Sequence, residues 1–257
     1  MNHFIITGTS RGIGASIASR LLVQGNTLHC VSRSMNEDLV ERASSQHIPL
    51  YYDEADLSLH GLAEKFIGDV FSRIEFGKTE RLALINNAGM LEPIAPLGLT
   101  KPELMEKHLA LNLLAPALLM SGFIRHTIEC SLTKVILNIS SGASTFPYSG
   151  WSMYCASRAG LDMLSRTAGL EQSVSVNPVR IFALAPGIVD TSMQTTIRHT
   201  DPAYFSEKEF FVKLHSEGRL SDPDQVAGII TGSLFNPAIP QGAVITIDQL
   251  KEYVIAG

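Results

Sequence analysis

Residues 138–158 read N-I-S-S-G-A-S-T-F-P-Y-S-G-W-S-M-Y-C-A-S-R, and this stretch decides how the rest of the chain is interpreted. It continues an apolar, β-branched run that begins at Val135 and is typical of a buried strand. A loop rich in Gly, Ser and Pro follows, and then a segment with helical character. On that helix Tyr154 and Arg158 are four residues apart, so we expect them on one face, about one turn apart.

Tyr154 is the candidate proton donor of this stretch. A free phenol ionises only near pH ~10, so it exchanges protons poorly at neutral pH. A cation one turn away favours the phenolate, and Arg158 supplies that cation. Ser141, at the end of the predicted strand, is positioned to hydrogen-bond whatever oxygen Tyr154 addresses. The pattern indicates a proton-transfer site, with a surface Tyr–Arg pair and a serine helix cap as the alternative.

A glycine-rich turn near the N-terminus predicts a nucleotide site. Residues 4–6 are apolar and strand-like, residues 7–14 read T-G-T-S-R-G-I-G, and apolar positions then recur at helical spacing. A helix N-terminus that follows a strand attracts pyrophosphate, because its free N–H groups and its dipole favour an anion. The glycines do not have the spacing of the motif G-x-G-x-x-G, so the turn alone leaves the ligand open.

Two arginines favour NADP(H) over NAD(H). In dinucleotide-binding folds, the residue about twenty positions beyond the glycines meets the adenosine ribose, where an acid selects a free hydroxyl and an arginine accepts a phosphate. Here that residue is Arg33, and no acid occurs until Glu37. Arg11, inside the glycine turn, adds a second positive charge. The alternative is that both arginines are solvated surface residues.

Several motifs in order along nearly the whole chain resemble those of the short-chain dehydrogenase/reductase family. They are T-G-x-x-x-G-x-G at residues 7–14, N-N-A-G at residues 86–89, S-S followed by Y-x-x-x-R, and P-G-x-x-x-T at residues 186–191. The segment around Tyr154 is similar to the sepiapterin-reductase-like branch, and within it to the bacterial benzil reductases that form (S)-benzoin. One departure is Arg158, since the family pattern has Lys at this position.

The resemblance implies a role for each matching residue. Tyr154, Ser141, Arg158 and Asn112 would form the catalytic group. The implied cofactor-binding residues are Gly8, Ser10, Arg11, Gly12, Ile13, Gly14, Arg33, Asp56, Asn87, Ala88, Gly89, Tyr154, Arg158, Pro186, Gly187, Val189 and Thr191. Asp56 could equally belong to the N-cap region of the next helix, because Asp and Ser favour that position.

Asn112 interrupts the character of a long helix predicted over residues 103–128. Asn is a poor residue in a helix interior, and Pro116 has no N–H to donate to the Asn112 carbonyl four residues back. A carbonyl freed in this way could hold a water molecule, and the resemblance implies such a role in a proton relay. A helix that is merely kinked is the alternative.

The overall pattern predicts one α/β domain over residues 1–257. Strands alternate with helices along the 257 residues, which predicts a Rossmann-type, doubly wound parallel sheet of about seven strands flanked by helices. The net charge is -5 and the charged residues form no long runs, so we expect neither nucleic acid nor a membrane as a partner. No uninterrupted apolar segment reaches the ~18 residues of a membrane span. Three cysteines without a C-x-x-C pair argue for a reducing, cytoplasmic compartment and against a metal.

The expected activity is reduction of a small-molecule ketone by NADPH. Residues 193–218 carry aromatic side chains among polar ones and predict a substrate lid. Phe146, Tyr148, Trp151 and Met193 could form an apolar wall, which suits an aromatic or bulky α-diketone reduced to the (S)-hydroxyketone. Sepiapterin or another ketone is the competing substrate. A catalytically weak protein that only binds NADP is the alternative of another class, and Arg158 is its support.

The helix that carries Tyr154 also predicts a homodimer. A separate stripe of small or apolar residues runs along it: Met153, Ala156, Gly160, Met163, Thr167 and Leu170. Small residues allow helices to approach closely, and the resemblance implies a dimer interface built from this helix and the long one before it. Ordinary core packing is the alternative explanation of the stripe.

Overall fold

The computed structural model describes residues 1–255 and contains one seven-stranded sheet in which every strand pair is parallel. The strand order is β3-β2-β1-β4-β5-β6-β7. The strands are β1 (Asn2–Thr7), β2 (Asn26–Ser32), β3 (Leu50–Glu54), β4 (Arg81–Asn86), β5 (Thr133–Ile139), β6 (Arg180–Ala185) and β7 (Ala243–Thr246). The predicted fold class, a doubly wound parallel sheet in a single α/β domain, is confirmed.

Helices cover both faces of the sheet. They are α1 (Gly12–Leu21), α2 (Glu37–Ser45), α3 (Leu62–Ser72), α4 (Pro102–Leu109), α5 (Ala115–Thr127), α6 (Ser152–Gln172), α7 (Ser192–His199), α8 (Lys208–Ser216), α9 (Pro223–Ser233) and α10 (Ile247–Ile255). Strand β7 ends at Thr246 and helix α10 begins at the next residue, Ile247, so the chain turns without a connecting loop. This turn brings Ile247 to the edge of the sheet where the strands end.

Two apolar cores lie on opposite faces of the sheet because successive strand residues point to opposite sides. In β1, Ile6 belongs to the core that includes Ile17 of α1, whereas Ile5 belongs to the core that includes Phe66 of α3 and Phe123 of α5. Both isoleucines are fully buried. The continuous apolar run of β1 is therefore explained by a strand covered on both faces.

The site of ligand binding follows from the strand order. Strand β1 lies between β2 and β4, so the chain moves outward in one direction through β3 and in the other through β7. Connections that leave β1 and β4 pass to opposite faces and open a crevice at the carboxyl ends of these strands. This crevice is where the glycine turn and the N-N-A-G motif meet.

The predicted long helix is two helices joined by a π-helical turn. Helix α4 and helix α5 are separated by Ala110–Leu114, which contains Asn112, and the N–H of Ala115 donates to the carbonyl of Ala110. Pro116 follows directly and cannot donate, so the regular ladder fails at this point. By length and composition the segment Pro102–Thr127 would suffice to cross a bilayer, but half of its apolar window is buried against the rest of the fold.

Lys134 is a charged residue that the core accommodates. It lies in β5 with 3% of its surface exposed, and its ammonium donates to the carbonyls of Thr127, Cys130 and Asn177 at 2.8, 2.6 and 2.8 Å. Burial lowers the pKa of this side chain. An ammonium group has three N–H donors, and each of them is used here. The three hydrogen bonds join the end of α5 to the segment that precedes β6.

Candidate active site

A cavity of about 560 Å³ opens at the carboxyl ends of the strands and collects most of the predicted site. It is lined by the glycine turn after β1, the N-N-A-G segment after β4, the serines after β5 and the P-G-x-x-x-T loop after β6. Tyr154 and Arg158 of α6 reach the same space. Three predicted residues do not line it, namely Gly14, Asn112 and Phe146.

The glycine turn lies tightly against the end of β4. Gly8 and Gly12 have φ values of +74° and +62°, a left-handed conformation that residues with side chains rarely adopt. A Cβ at Gly14 would collide with the Gly8 carbonyl oxygen and with the side-chain amide of Asn87. Gly14 therefore shapes the turn from behind, and the turn leaves the N-terminus of α1 open toward the cavity.

Thr7 and Asn87 hold the two strand ends together. The hydroxyl of Thr7 accepts from the backbone N–H groups of Asn87 and Ala88 at 3.0 and 2.9 Å. In return the Asn87 amide donates to the carbonyls of Thr7 and Gly8 at 3.0 and 3.1 Å. Because all four bonds cross between β1 and β4, they set the width of the crevice. Thr7 was not among the predicted site residues.

Positive charge collects at the end of the cavity nearest β2. Arg11 and Arg33 are exposed, and both line this end together with Asp56. Burial raises the pKa of Asp56, but hydrogen bonds from Ser58 and the charges of Lys107 and Arg33 outweigh it and lower that pKa below its ordinary value. Helix α3 begins after Gly61, which occupies its N-cap position. Asp56 is thus not the N-cap, and its carboxylate instead closes a turn at Ser58.

Tyr154 and Ser141 both line the cavity. Ser141 ends the chain segment that leaves β5 and begins a short 3₁₀ turn, where its hydroxyl accepts from the N–H of Ala143 at 3.2 Å. Tyr154 lies in the first turn of α6 and is 6% exposed. Its ring makes an edge contact with Trp151 at 5.7 Å between ring centroids. The strand, loop and helix predicted from residues 138–158 thus bring a hydroxyl and a phenol to one wall.

Arg158 lies closer to the tyrosine than a surface pair would. Its guanidinium carbon is 5.1 Å from the centroid of the Tyr154 ring, and its Nη1 donates to the carbonyl of Ile139 at 3.2 Å. The residue is 5% exposed, and its Nε has no hydrogen-bond partner among the residues described. Gly89 makes room for it, since a Cβ there would collide with Nη2. A buried cation with an unused donor favours a polar or anionic group beside it.

Asn112 is fully buried behind the cavity wall and does not line the cavity itself. Its amide oxygen accepts from the N–H of Met90 at 2.8 Å, and its amide nitrogen donates to the Met90 carbonyl at 2.7 Å. Gly89 and Met90 both line the cavity. Asn112 therefore supports the wall that faces Arg158.

The loop after β6 is fixed at its far side. Ser221 exchanges backbone hydrogen bonds with this loop, donating to Ile188 and accepting from Asp190 at 2.9 Å each. Val189 pairs with Ser221 in an isolated parallel bridge, and Thr191 occupies the N-cap position of α7. Pro186, Gly187, Val189 and Thr191 consequently face the cavity along one continuous edge.

The predicted lid carries an aromatic cluster over the cavity. Phe205 is fully buried and stacks on Trp151 with 4.5 Å between ring centroids and an interplanar angle of 9°. Phe211 packs against the same indole at 5.5 Å. Gly150 permits this contact, because a Cβ at that position would collide with the carbonyl of Tyr204. Helix α8 and the segment that precedes it therefore pack on Trp151 through aromatic side chains.

One predicted wall residue lies elsewhere. Phe146 is 65% exposed and does not line the cavity, because the 3₁₀ turn after Ser141 carries it outward. Trp151 and Met193 do line it. Tyr148, the fourth predicted wall residue, also lines it, and the cavity includes further side chains that the sequence-based prediction of the site omitted: Leu91, Gln194, Ile247 and Asp248. No motif marks these residues, because they come from a loop and from α7 and α10.

Comparison with known proteins agrees with this geometry. The model of the family described as short chain dehydrogenase matches residues 2–202. The chain is 38% identical over 250 residues to a benzil reductase ((S)-benzoin forming) of Bacillus cereus, covering 97% of this chain and 100% of that protein. It is 34% identical over 230 residues to the sepiapterin reductase of Rattus norvegicus, covering 85% of each. The solved structure of the KRED1-Pglu enzyme superposes with a TM-score of 0.82 at 25% identity, covering 95% of this chain and 100% of that one.

The family match spans well over half of the chain and includes the glycine turn, the N-N-A-G segment and Tyr154. Members of this family use a nicotinamide cofactor. The chain therefore belongs to the short-chain dehydrogenase/reductase family and is an oxidoreductase that acts on C=O or CH–OH groups.

Proposed function

We propose that this protein is an NADPH-dependent reductase of aromatic or bulky α-diketones that yields the (S)-hydroxyketone. The observation that carries the proposal is the meeting of Tyr154 and Ser141 in one cavity with the glycine turn, beneath an aromatic lid. Similarity to a benzil reductase ((S)-benzoin forming) of Bacillus cereus over 97% of this chain supports the choice of substrate and the (S) configuration of the product.

The residues present fit a dinucleotide. Gly8 and Gly12 hold left-handed backbone, and the N-terminus of α1 offers unpaired N–H groups to a pyrophosphate. Further along, the unused Nε donor of Arg158 lies buried beside Tyr154, where the polar nicotinamide end of a cofactor would sit. Arg11 and Arg33 at the opposite end favour a 2′-phosphate, and therefore NADP(H).

The protein's own residues supply the proton chemistry. When bound, the cofactor supplies the hydride that the carbonyl carbon accepts. Tyr154 donates its proton to the carbonyl oxygen as negative charge develops there, and the Ser141 hydroxyl donates a hydrogen bond to the same oxygen. Arg158 stabilises the phenolate that remains, because its guanidinium lies over the Tyr154 ring. Asn112 holds the adjoining backbone in place.

The wall of the cavity favours an apolar substrate. Trp151, Tyr148, Met193 and Phe211 line it, and three of these are aromatic. Flat aromatic walls gain most from burying an aryl ketone, since such rings bury large area in offset or edge-on contact. Helices α7 and α8 would act as the lid that excludes water while the carbonyl reacts.

Two further functions have specific support. Similarity to the sepiapterin reductase of Rattus norvegicus favours sepiapterin, which is also a side-chain dicarbonyl, as a competing substrate. Arg158 favours a protein that binds NADP with weak chemistry, because a guanidinium does not release a proton. Turnover of benzil, 1-phenyl-1,2-propanedione and sepiapterin with NADPH, with chiral chromatography of the products, distinguishes all three.

We also propose a homodimer and a cytoplasmic location. The stripe on α6 faces outward, since Ala156, Met163, Thr167 and Leu170 are all exposed. Packing within the chain therefore leaves these residues uncovered, and a second copy of the chain would cover them. Cys30, Cys130 and Cys155 are free thiols, which suits a reducing compartment.

Replacing Tyr154 with Phe tests the proposed acid. The variant removes one hydroxyl from a buried ring, so we expect kcat for diketone reduction to fall at least ~100-fold while NADPH still binds. Steady-state NADPH consumption and cofactor fluorescence measure the two quantities. Tyr51→Phe, a change at an exposed tyrosine outside the cavity, serves as the control. Undiminished turnover in Tyr154→Phe would refute the role of this phenol.

Replacing Arg33 with Asp tests the cofactor preference. The aspartate repels a 2′-phosphate and accepts hydrogen bonds from a free ribose, so we expect the ratio of kcat/KM for NADPH over NADH to fall by about 100-fold or more. Arg125→Asp makes the same charge change at an exposed position outside the cavity. An unchanged ratio in Arg33→Asp contradicts the assignment.

Replacing Arg158 with Lys tests what the guanidinium does. Lysine keeps the positive charge, is smaller, and can release a proton, so we expect kcat to rise severalfold. Arg158→Met removes the charge and should lower kcat instead. Both variants are compared at saturating NADPH. The assigned role is wrong if Arg158→Lys has a lower kcat than the parent protein.

Sedimentation equilibrium tests the homodimer. We expect a mass near twice the 27.9 kDa of one chain. Met163→Glu should shift the protein to monomers, because burying an unpaired carboxylate in an apolar interface is costly. Val176→Glu introduces the same charge at a side chain that is 95% exposed and should remain dimeric. A parent protein that sediments as a monomer would overturn the proposal.

A further inference from the structure

His108 is a fully buried histidine that the proposed chemistry does not use. It lies near the end of α4, four residues before Asn112. Its Nδ1 is 2.7 Å from the carbonyl oxygen of Glu92. Its Nε2 is 2.8 Å from the amide nitrogen of Asn112 and 3.0 Å from the hydroxyl of Ser157. Both ring nitrogens are thus engaged in the interior.

These contacts select one protonation state of the ring. A carbonyl oxygen can only accept, so Nδ1 carries the proton and donates to Glu92. Nε2 is then an acceptor, and one N–H of the Asn112 amide donates a hydrogen bond to it. The Ser157 hydroxyl donates to the Tyr154 carbonyl at 3.0 Å and leaves the Nε2 lone pair to Asn112. Burial lowers the pKa of His108, which agrees with a neutral ring.

The same contacts determine the orientation of the Asn112 amide. One N–H of the amide donates a hydrogen bond to His108 and the other donates to the Met90 carbonyl, while the amide oxygen accepts from the Met90 N–H. If the amide rotated by 180°, its N–H groups would face the Met90 N–H, and its oxygen would face the lone pair of Nε2. The imidazole and the Met90 backbone together allow a single orientation of Asn112.

The orientation of Asn112 affects the cavity wall, because Asn112 bonds to backbone that lines the cavity. The two bonds to Met90 fix the backbone that follows β4, and a Cβ built on Gly89 would lie 3.2 Å from the Asn112 oxygen and against Nη2 of Arg158. A shift of Asn112 would move the wall against which the guanidinium packs. The His108 ring is itself 6.2 Å from the Tyr154 ring, edge to face.

We propose that His108 is a positioning residue for carbonyl reduction: its neutral, Nδ1-protonated imidazole orients Asn112, which holds the Gly89–Met90 wall against Arg158. The effect on rate rests on the proposed function, whereas the orientation of Asn112 does not. Acceptance of a hydrogen bond from the Asn112 amide is the property of His108 that matters for the reaction.

Two amide variants separate the roles of the two ring nitrogens of His108. His108→Gln can present an oxygen near the place of Nε2 and accept from Asn112, while His108→Asn can keep the donor to Glu92 and leaves Asn112 without an acceptor. We expect His108→Asn to lower kcat by about tenfold at saturating NADPH with an unchanged NADPH Kd, and His108→Gln to stay within about threefold of the parent protein. His60→Gln, at an exposed histidine, is the control.

Equal losses in both His108 variants, or no loss in either, would overturn the proposal. Thermal unfolding of each variant identifies one that does not fold. For that case the parent protein supplies an independent measurement: ¹⁵N spectra of histidine-labelled protein should show a protonated Nδ1 and a bare Nε2 for His108. The opposite tautomer overturns the proposal even if no ketone in the panel is reduced, and the expected tautomer with no turnover in the parent protein would count against the proposed function alone.

Discussion

The hydrogen bonds between Thr7 and Asn87 set the geometry on which the rest of the site depends. They join the carboxyl ends of β1 and β4 at the point where the strand order reverses. Neighbouring parallel strands would open a crevice there in any case, but its width depends on these bonds and on the missing side chain of Gly14. The glycine turn and the N-N-A-G segment meet at this junction, and Arg158 packs closely against Gly89 of that segment.

A buried cation is the main cost of this arrangement. Arg158 lies almost entirely out of water, with a hydrogen bond to the backbone carbonyl of Ile139 and an aromatic ring beside its guanidinium. Removing a charge from water is expensive unless dipoles and ligands replace the lost solvation. The quadrupole of Tyr154 and the carbonyl of Ile139 supply part of that replacement. A bound nucleotide would supply more, which couples cofactor binding to the state of the tyrosine.

Much of the fold and the central part of the site could be predicted from local sequence. The alternation of apolar runs and helical periods predicts the parallel sheet, and the pairing of Tyr154 with Arg158 follows from helix geometry alone. Phe146 was predicted wrongly as a wall residue, because the direction of a side chain in an irregular loop has no periodic signal. No motif marks Lys134 or His108, yet both are buried in the structure. Lys134 donates to three backbone carbonyls, and His108 lies between the Glu92 carbonyl and the Asn112 amide.

The sequence by itself determined the order of the elements, the backbone-permissive glycines and the identity of the groups that can donate protons. These are local properties, since they depend on side-chain chemistry and on spacings of two or four residues. Only the tertiary structure decided which loops meet over the cavity, that Trp151 stacks on Phe205, and that Asn112 bonds to the backbone of Met90. Such contacts join residues from different turns or distant loops, and their existence depends on how whole helices pack on the sheet.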